Sequence, residues 1–526
     1  MDAMGIQPAQ AEDRAVPDGA DSAGGNWHWL MAIAIAAIAF VFRLVPVLRG
    51  GGLFGLGNYD DGVYYAAGTA IAHGLLPYRD FLLLHPPGVP LLLTPFALVA
   101  QLTSDSYGFA AARVAWMLLG ALNAVLIWRI LRPIASIAAL FGALGYAVFY
   151  PAVYADHTTL LESPAATAVL LAIVLLEPLS DNGSLSRGRA VAAGALLGVA
   201  VAIKIWGVVT VALVLGWLLL IRRFRVCLQV AISSVAMAGL ICLPFFAAAP
   251  TTMWHQLVRD QIVRHAKRGV SMLGRLDEIA GLGIVGRSHT SITVIAVVAL
   301  LSCAALAWTY RQARLPTLLL LGQGAFLLVT PTWFPHYAGY TAATVALVVG
   351  AAIGRIMALV RARPARIAVA IAVAAALLVY ASGWSDIRWG RRFPNQFRLL
   401  AASAPGCVTT DDATALVETN TLSRNLSRGC RFIADLGGHS HDMAVASGKV
   451  VSRKNNKPFQ RFALAQLRTG SMTILIRFSA GRGFSSQTTA ALQMWPLLAR
   501  SGKYQVRQPV ASGQSVTQGS PKPQRR

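Results

Sequence analysis

Asn58–Gly88 reads NYDDGVYYAAGTAIAHGLLPYRDFLLLHPPG, and it lies between two apolar segments of a chain whose other long stretches read as membrane. Two adjacent carboxylates, Asp60 and Asp61, precede a Tyr-rich helical run that carries Tyr64. A Tyr78-Arg79-Asp80 turn follows, and His85-Pro86-Pro87-Gly88 stops the segment. Charge held next to hydrocarbon is costly and is seldom kept without a use, so this cluster marks a site at a membrane boundary.

Working outward, the composition sets the broad class. The chain has 526 residues, is 56% hydrophobic and 13% charged, and has a mean hydropathy of +0.56. Its apolar residues come in runs long enough to cross a bilayer. A net charge of +24 would suggest nucleic acid, but the arginines mostly flank the apolar runs, where membrane topology requires them. The anionic partner is therefore the membrane surface, not nucleic acid.

Eleven spans are expected, at about 29–47, 108–128, 133–151, 161–177, 190–205, 207–221, 226–248, 291–309, 316–333, 336–354 and 367–383. The Pro-rich run 89–103 is short for a crossing and either spans or lies within one face. If it does not cross and the N-terminus is cytoplasmic, one face collects Arg129, Arg132, Arg187, Arg189, Arg222, Arg223 and Arg225. Arg311, Arg314, Arg355, Arg361, Arg363 and Arg366 join them, as the positive-inside rule demands. The Asp60 loop, the Asp156–Glu162 corner, Lys204, the Pro335-His336-Tyr337 corner and everything after about residue 384 then share the outer face.

The expected organisation is a disordered cytoplasmic tail (1–28), a membrane module (29–383, with a first outer loop at 48–107), an extracytoplasmic α/β soluble domain (384–505) and a disordered tail (506–526). The fold class is an all-α polytopic protein of the plasma membrane with that soluble domain appended. Cys227, Cys242 and Cys303 read as buried hydrophobes, whereas Cys407 and Cys430 share the oxidising outer location. A disulfide between them is expected. The loop 250–290 breaks the charge rule with Arg259, Arg264, Lys267, Arg268, Arg275 and Arg287; it either collects anionic lipid or donor phosphate or is a solvated helical face, which the interspersed Asp260, Asp277 and Glu278 favour.

The pattern Tyr59-Asp60-Asp61-Gly62-Val63-Tyr64, then Gly74 through Phe81 (GLLPYRDF), then His85-Pro86-Pro87-Gly88, resembles the first outer loop of the GT-C membrane glycosyltransferases. The similarity is to the protein O-mannosyltransferase and aminoarabinose-transferase type, glycosyltransferase family 39. His157 through Glu162-Ser163-Pro164, Ile203-Lys204 and Phe334-Pro335-His336-Tyr337 match in the same order, over residues 29–355. GCVTTDD from Gly406, with Cys430, resembles the tail of actinobacterial members. The resemblance implies a polyprenyl-phosphate sugar donor, mannose or arabinose in type, and inverting transfer to a glycan, lipid or protein hydroxyl on the outer face in cell-envelope biosynthesis.

Chemistry gives these residues roles. Inverting transfer needs a base at the acceptor hydroxyl and compensation for the departing phosphate. Asp60 matches the family's catalytic acid and takes the base role; its bland alternative is a helix cap. Glu162 matches the second acidic position, against a plain interfacial carboxylate at a helix N-terminus. Asp61 orients a side chain or, with Asp60, ligates a divalent metal such as magnesium or manganese, although no ligand spacing is diagnostic. Asp61, Tyr64, Arg79, His85, Lys204 and His336 are substrate-binding candidates, with Lys204 snorkelling to a donor phosphate. Asp156 reads as a plain outer turn. The competing class is a transporter or lipid-linked-sugar flippase, which would place ionisable residues at mid-bilayer and often show repeated halves.

Overall fold

The computed structural model describes residues 22–181, 183–263, 270–283, 290–446 and 451–510. The chain opens with α1 (Ser22–Arg49) and β1 (Gly55–Leu56), passes through α2 (Tyr59–Ala72) and α3 (Gly88–Leu102), and enters the long α4 (Asp105–Leu131). Next come α5 (Ser136–Val148), α6 (Tyr150–Asp156), α7 (Glu162–Leu176), α8 (Arg187–Ile203), α9 (Gly207–Leu220) and α10 (Phe224–Ala248). Three short helices, α11 (Pro250–Trp254), α12 (Asp260–Val263) and α13 (Met272–Ile279), precede α14 (Thr290–Trp308), α15 (Arg311–Val329), α16 (Gly339–Leu359) and α17 (Arg363–Ser382).

Each expected apolar run falls on a helix of its own, but not every one is long enough to span. Among the described residues eight helices have the length and hydropathy to cross a membrane, or up to nine if the bent pair α5–α6 counts as one span. That is fewer than the eleven expected from the sequence. Helix α9, at 14 residues, rises only about 21 Å against a hydrocarbon core of about 30 Å, and α3 is little longer. The 58° bend between α5 and α6 falls at Phe149, whose backbone is extended, just before Pro151. Proline there has no N–H to continue the helical ladder. Helix α1 begins inside the stretch assigned to a tail, because GGNWHWLMAI runs straight into the apolar core of the helix.

Alternating helix directions separate two ends of the bundle. The arginine turns after α4, before α8, before α10, before α15 and after α16 gather at one end, where Arg129 pairs with Glu177 at 3.1 Å. The opposite end carries α2, the start of α7, the end of α8 and the corner before α16. The loop 250–290 is not a plain solvated face. Arg275 is buried and donates to the carbonyls of Leu327, Leu328 and Thr330, capping α15, while Asp277 accepts from Thr293. Arg264, Lys267, Arg268 and Arg287 lie outside the described residues, as do tail residues 1–21 and 511–526.

After α17 come β2 (Arg391–Arg392), α18 (Asn395–Ala402), β3 (Val408–Thr410), α19 (Ala413–Glu418), α20 (Leu422–Ser427), α21 (Leu436–Ala446), α22 (Lys457–Leu467), β4 (Met472–Leu475), α23 (Ser486–Gln493), β5 (Leu497–Ser501) and β6 (Tyr504–Arg507). The sheet order is β3-β4-β6-β5, with β3 and β4 parallel and the other pairs antiparallel. Strand β6 extends into the stretch expected as a C-terminal tail, because Val506 is fully buried in the core. Cys407 and Cys430 are joined as a disulfide, with Cα atoms 5.9 Å apart.

This α/β unit does not stand apart from the bundle. Val63, Tyr65, Phe109 and Trp116 share one core with Phe397, Leu416, Ile474 and Val506. Polar contacts reinforce the seam: β1 pairs with β2, Asn420 Oδ1 accepts from the Ser106 N–H at 3.0 Å, and Asp105 accepts from both the backbone and the hydroxyl of Ser423. Gly62 is needed here. A Cβ at this position would overlap Thr414 of α19, so any side chain would push the unit off α2.

Candidate active site

Asn58 starts the site. Its side chain caps α2 by accepting from the Asp60 N–H at 3.2 Å, which places both carboxylates in the first turn, where the helix dipole favours negative charge. The two then part. Asp60 lines a cavity of about 460 Å³. Asp61 is fully buried on the other side: Oδ2 accepts from Arg113 Nε and Nη2 at 3.0 and 2.5 Å, and Oδ1 from the Thr159 N–H and hydroxyl at 3.0 and 2.8 Å. Asp61 is therefore a buried ion-pair partner, which corrects its reading as a substrate-binding residue.

The cavity brings Asp60, Tyr64, His85 and His336 together, with Tyr59 and Tyr154 alongside. His85 meets the Tyr64 ring edge-on at 5.7 Å between centroids, and His336 stacks on Phe334 at 5.7 Å. Arg79 lies elsewhere. It is exposed and pairs with Asp80 at 2.8 Å, while Asp80 Oδ2 accepts from the Leu76 N–H at 2.7 Å. Tyr78, at φ +69, donates its hydroxyl to the His85 carbonyl at 2.7 Å and its N–H to Phe81. The Pro-Tyr-Arg-Asp-Phe segment is thus a turn that carries His85 to the cavity, and Arg79 faces solvent.

Glu162 and Lys204 do not line this cavity but form a buried pair at 2.5 Å. Glu162 opens α7, Lys204 closes α8, and the ammonium also sits 3.9 Å from the Trp206 ring centroid. Lys204 is thus already neutralised, not snorkelling to a phosphate. The pair still feels the cavity electrostatically, Lys204 through Asp60 and Glu162 through His336. Asp156, expected in a plain turn, is buried against Arg43 at 2.7 Å with the Tyr146 hydroxyl beside it.

A divalent metal held between Asp60 and Asp61 does not fit this arrangement, because both oxygens of Asp61 are engaged by Arg113 and Thr159. Among the described residues no three His, Cys, Asp or Glu side chains gather as ligands.

About a third of the cavity wall was invisible to sequence reasoning. Asp435, Gly437, Gly438, His441, Arg453, Arg477 and Phe478 all come from the C-terminal unit. The Tyr59 hydroxyl donates to Asp435 Oδ1 at 3.0 Å and accepts from the Gly437 N–H at 2.8 Å, tying α2 to the N-terminus of α21. Burial, then the Asp435 charge, pushes the Tyr59 phenol well above its usual range, so it stays a donor. Arg477 is fixed by Asp412 at 2.8 Å, and Asp411 accepts three backbone N–H groups from Ile476, Arg477 and Phe478. The available signal was the density of Arg and His in 431–482.

The arrangement can hold a polar ligand beside the Asp60 and Asp435 carboxylates, with imidazole and guanidinium groups in the same wall to meet an anion. A helical bundle is thus roofed at one end by an α/β unit, with that cavity between them. The profile of glycosyltransferase family 87 matches residues 83–331, slightly under half of the chain. The fold matches the crystal structure of ArnT from Cupriavidus metallidurans in the apo state, with a TM-score of 0.60 and 17% identity over 93% of this chain and 99% of that one. ArnT from the same organism bound to undecaprenyl phosphate matches with a TM-score of 0.56 and 16% identity, over 93% and 98%. The archaeal oligosaccharyltransferase AglB from Archaeoglobus fulgidus, in complex with an inhibitory peptide and a dolichol-phosphate, matches at 0.56 and 12%, over 94% and 76%. No curated protein matches the chain. The chain shares the fold of these solved structures, and its residues 83–331 are similar to glycosyltransferase family 87.

Proposed function

We propose that this protein transfers a sugar, mannose or arabinose in type, from a polyprenyl-phosphate donor to an acceptor hydroxyl, inverting the anomeric centre. The observation that carries this reading is Asp60 lining the large cavity between the bundle end and the C-terminal unit, while Asp61 is consumed by Arg113. Asp60 takes the hydroxyl proton as the oxygen attacks the anomeric carbon, the C–O bond to phosphate breaks, and the phosphate leaves with the electron pair. His85, His336, His441, Arg453 and Arg477 are the cavity groups available to meet that charge. The lipid phosphates held by the ArnT and AglB relatives support a polyprenyl-phosphate donor. Glu162 and Lys204 act by setting the field beneath the cavity.

The catalytic end faces the outside of the plasma membrane and the arginine end faces the cytoplasm, a reading supported by their separation to opposite ends of the bundle. The direct test uses purified protein, a radiolabelled polyprenyl-phosphate sugar and membrane acceptor. Asp60→Asn should lower transfer by roughly 10²–10⁴-fold while expression and donor binding persist. Near wild-type transfer by a well-expressed Asp60→Asn protein would overturn the assignment.

A further inference from the structure

A second cavity, of about 290 Å³, adjoins the first through Arg477, which lines both. Among the described residues its lining includes Arg388, Arg391, Arg477 and Lys503 and no carboxylate. Arg388 and Arg391 come from the short segment between α17 and α18, Arg477 from the segment after β4 and Lys503 from the β5–β6 turn. Arg477 is held in place as the partition, its Nε on Asp412 at 2.8 Å and its Nη2 on the Gly57 carbonyl at 3.3 Å. Gly57 lines the second cavity and its neighbour Asn58 the first. Like charges gathered around a concave space create a positive potential that an oxyanion relieves, and guanidinium groups suit phosphate and carboxylate geometry.

We infer that this second cavity binds an oxyanion carried by the acceptor, so the acceptor is a phosphate- or carboxylate-bearing lipid or glycan whose hydroxyl lies next door at Asp60. The inference builds on the transferase reading and adds a substrate class to it. Donor hydrolysis in the absence of acceptor reports the Asp60 cavity alone, whereas transfer reports both cavities.

The test compares the full chain with the variant Arg388→Gln/Arg391→Gln/Lys503→Gln, in nanodiscs of neutral phosphatidylcholine. Transfer to membrane acceptor should fall about tenfold or more, with donor hydrolysis unchanged. Inorganic pyrophosphate, used as the probe, should raise the melting temperature of the wild type and inhibit its transfer, and should do neither in the variant. Unchanged transfer in a variant that no longer responds to pyrophosphate would overturn the acceptor assignment. So would stabilisation by phosphatidylglycerol nanodiscs that the variant loses while its transfer stays intact, because the cavity would then serve a bulk lipid headgroup. Absence of both hydrolysis and transfer in the wild type would instead strike at the proposed function.

Discussion

Successive residues of a helix point about 100° apart, so adjacent carboxylates at the start of α2 serve different surroundings: Asp60 the cavity, Asp61 the interior. Their substitutions should therefore separate. Asp60→Asn removes the proposed base from the cavity and should leave folding intact. Asp61→Asn strands Arg113 without its main countercharge, and removing one partner of a buried pair costs about 3–5 kcal/mol. The expected outcome is a lower yield and melting temperature for Asp61→Asn alone, measured on purified protein. Lys204→Met should behave like Asp61→Asn, because it leaves Glu162 charged and buried; adding Glu162→Gln should recover much of the melting temperature. A Lys204→Met protein with a normal melting temperature and weakened donor binding would restore the phosphate-binding reading of Lys204. Both acidic motif positions were legible as unusual in the chain, but which carboxylate was spoken for depended on Arg113 and Lys204, 52 and 42 residues away.

At the level of elements, the apolar runs predicted where helices form, since burying a helical backbone in hydrocarbon requires long uninterrupted apolar sequence. Their ends were less legible. A bend just before Pro151 separates α5, which falls in the expected span 133–151, from α6, whereas the expected turn at Tyr78-Arg79-Asp80 forms because Tyr78 adopts a left-handed backbone held by Phe81 and His85. Near the start of β3 the Cys407–Cys430 bridge closes a loop over 23 positions and ties the strand to the turn after α20. Cys407→Ser should weaken the C-terminal unit by about 3 kcal/mol, seen as earlier proteolysis of that unit. In the wild type, thiol labelling under non-reducing conditions should leave both cysteines unmodified. Labelling of either in protein from an oxidising compartment would remove the bridge.

At the scale of the whole molecule, the seam between the bundle end and the C-terminal unit contains carboxyls that burial has shifted. Burial pushes Glu418 up to about 7 despite Arg113 and Arg398 beside it, and burial likewise pushes Asp411 up to about 6. A raised folded-state value means that the folded chain holds protons the unfolded chain releases. This contribution to stability is complete below the ordinary carboxyl values and is lost as pH rises through about 6 for Asp411 and about 7 for Glu418. Purified protein should thus melt higher at pH 5 than at pH 8 through these groups, and Glu418→Gln should flatten that difference; an unaltered slope would exclude Glu418. Topology is tested at the same scale. Reporters fused after Arg225 or Arg366 should read cytoplasmic and one after Ser403 external; arginine turns found outside would reverse the orientation. Composition and local pattern were enough for a polytopic helical membrane protein and for the first loop as a wall of the cavity, because hydrophobic length and clustered charge are local properties of the chain. They could not show that the C-terminal unit walls the cavity, that Arg79 faces solvent, or that Lys204 is already paired. Those facts come from contacts between distant segments, as when Tyr59 meets Asp435 and Arg477 meets Gly57, and only the packed tertiary structure brings such groups within hydrogen-bonding range.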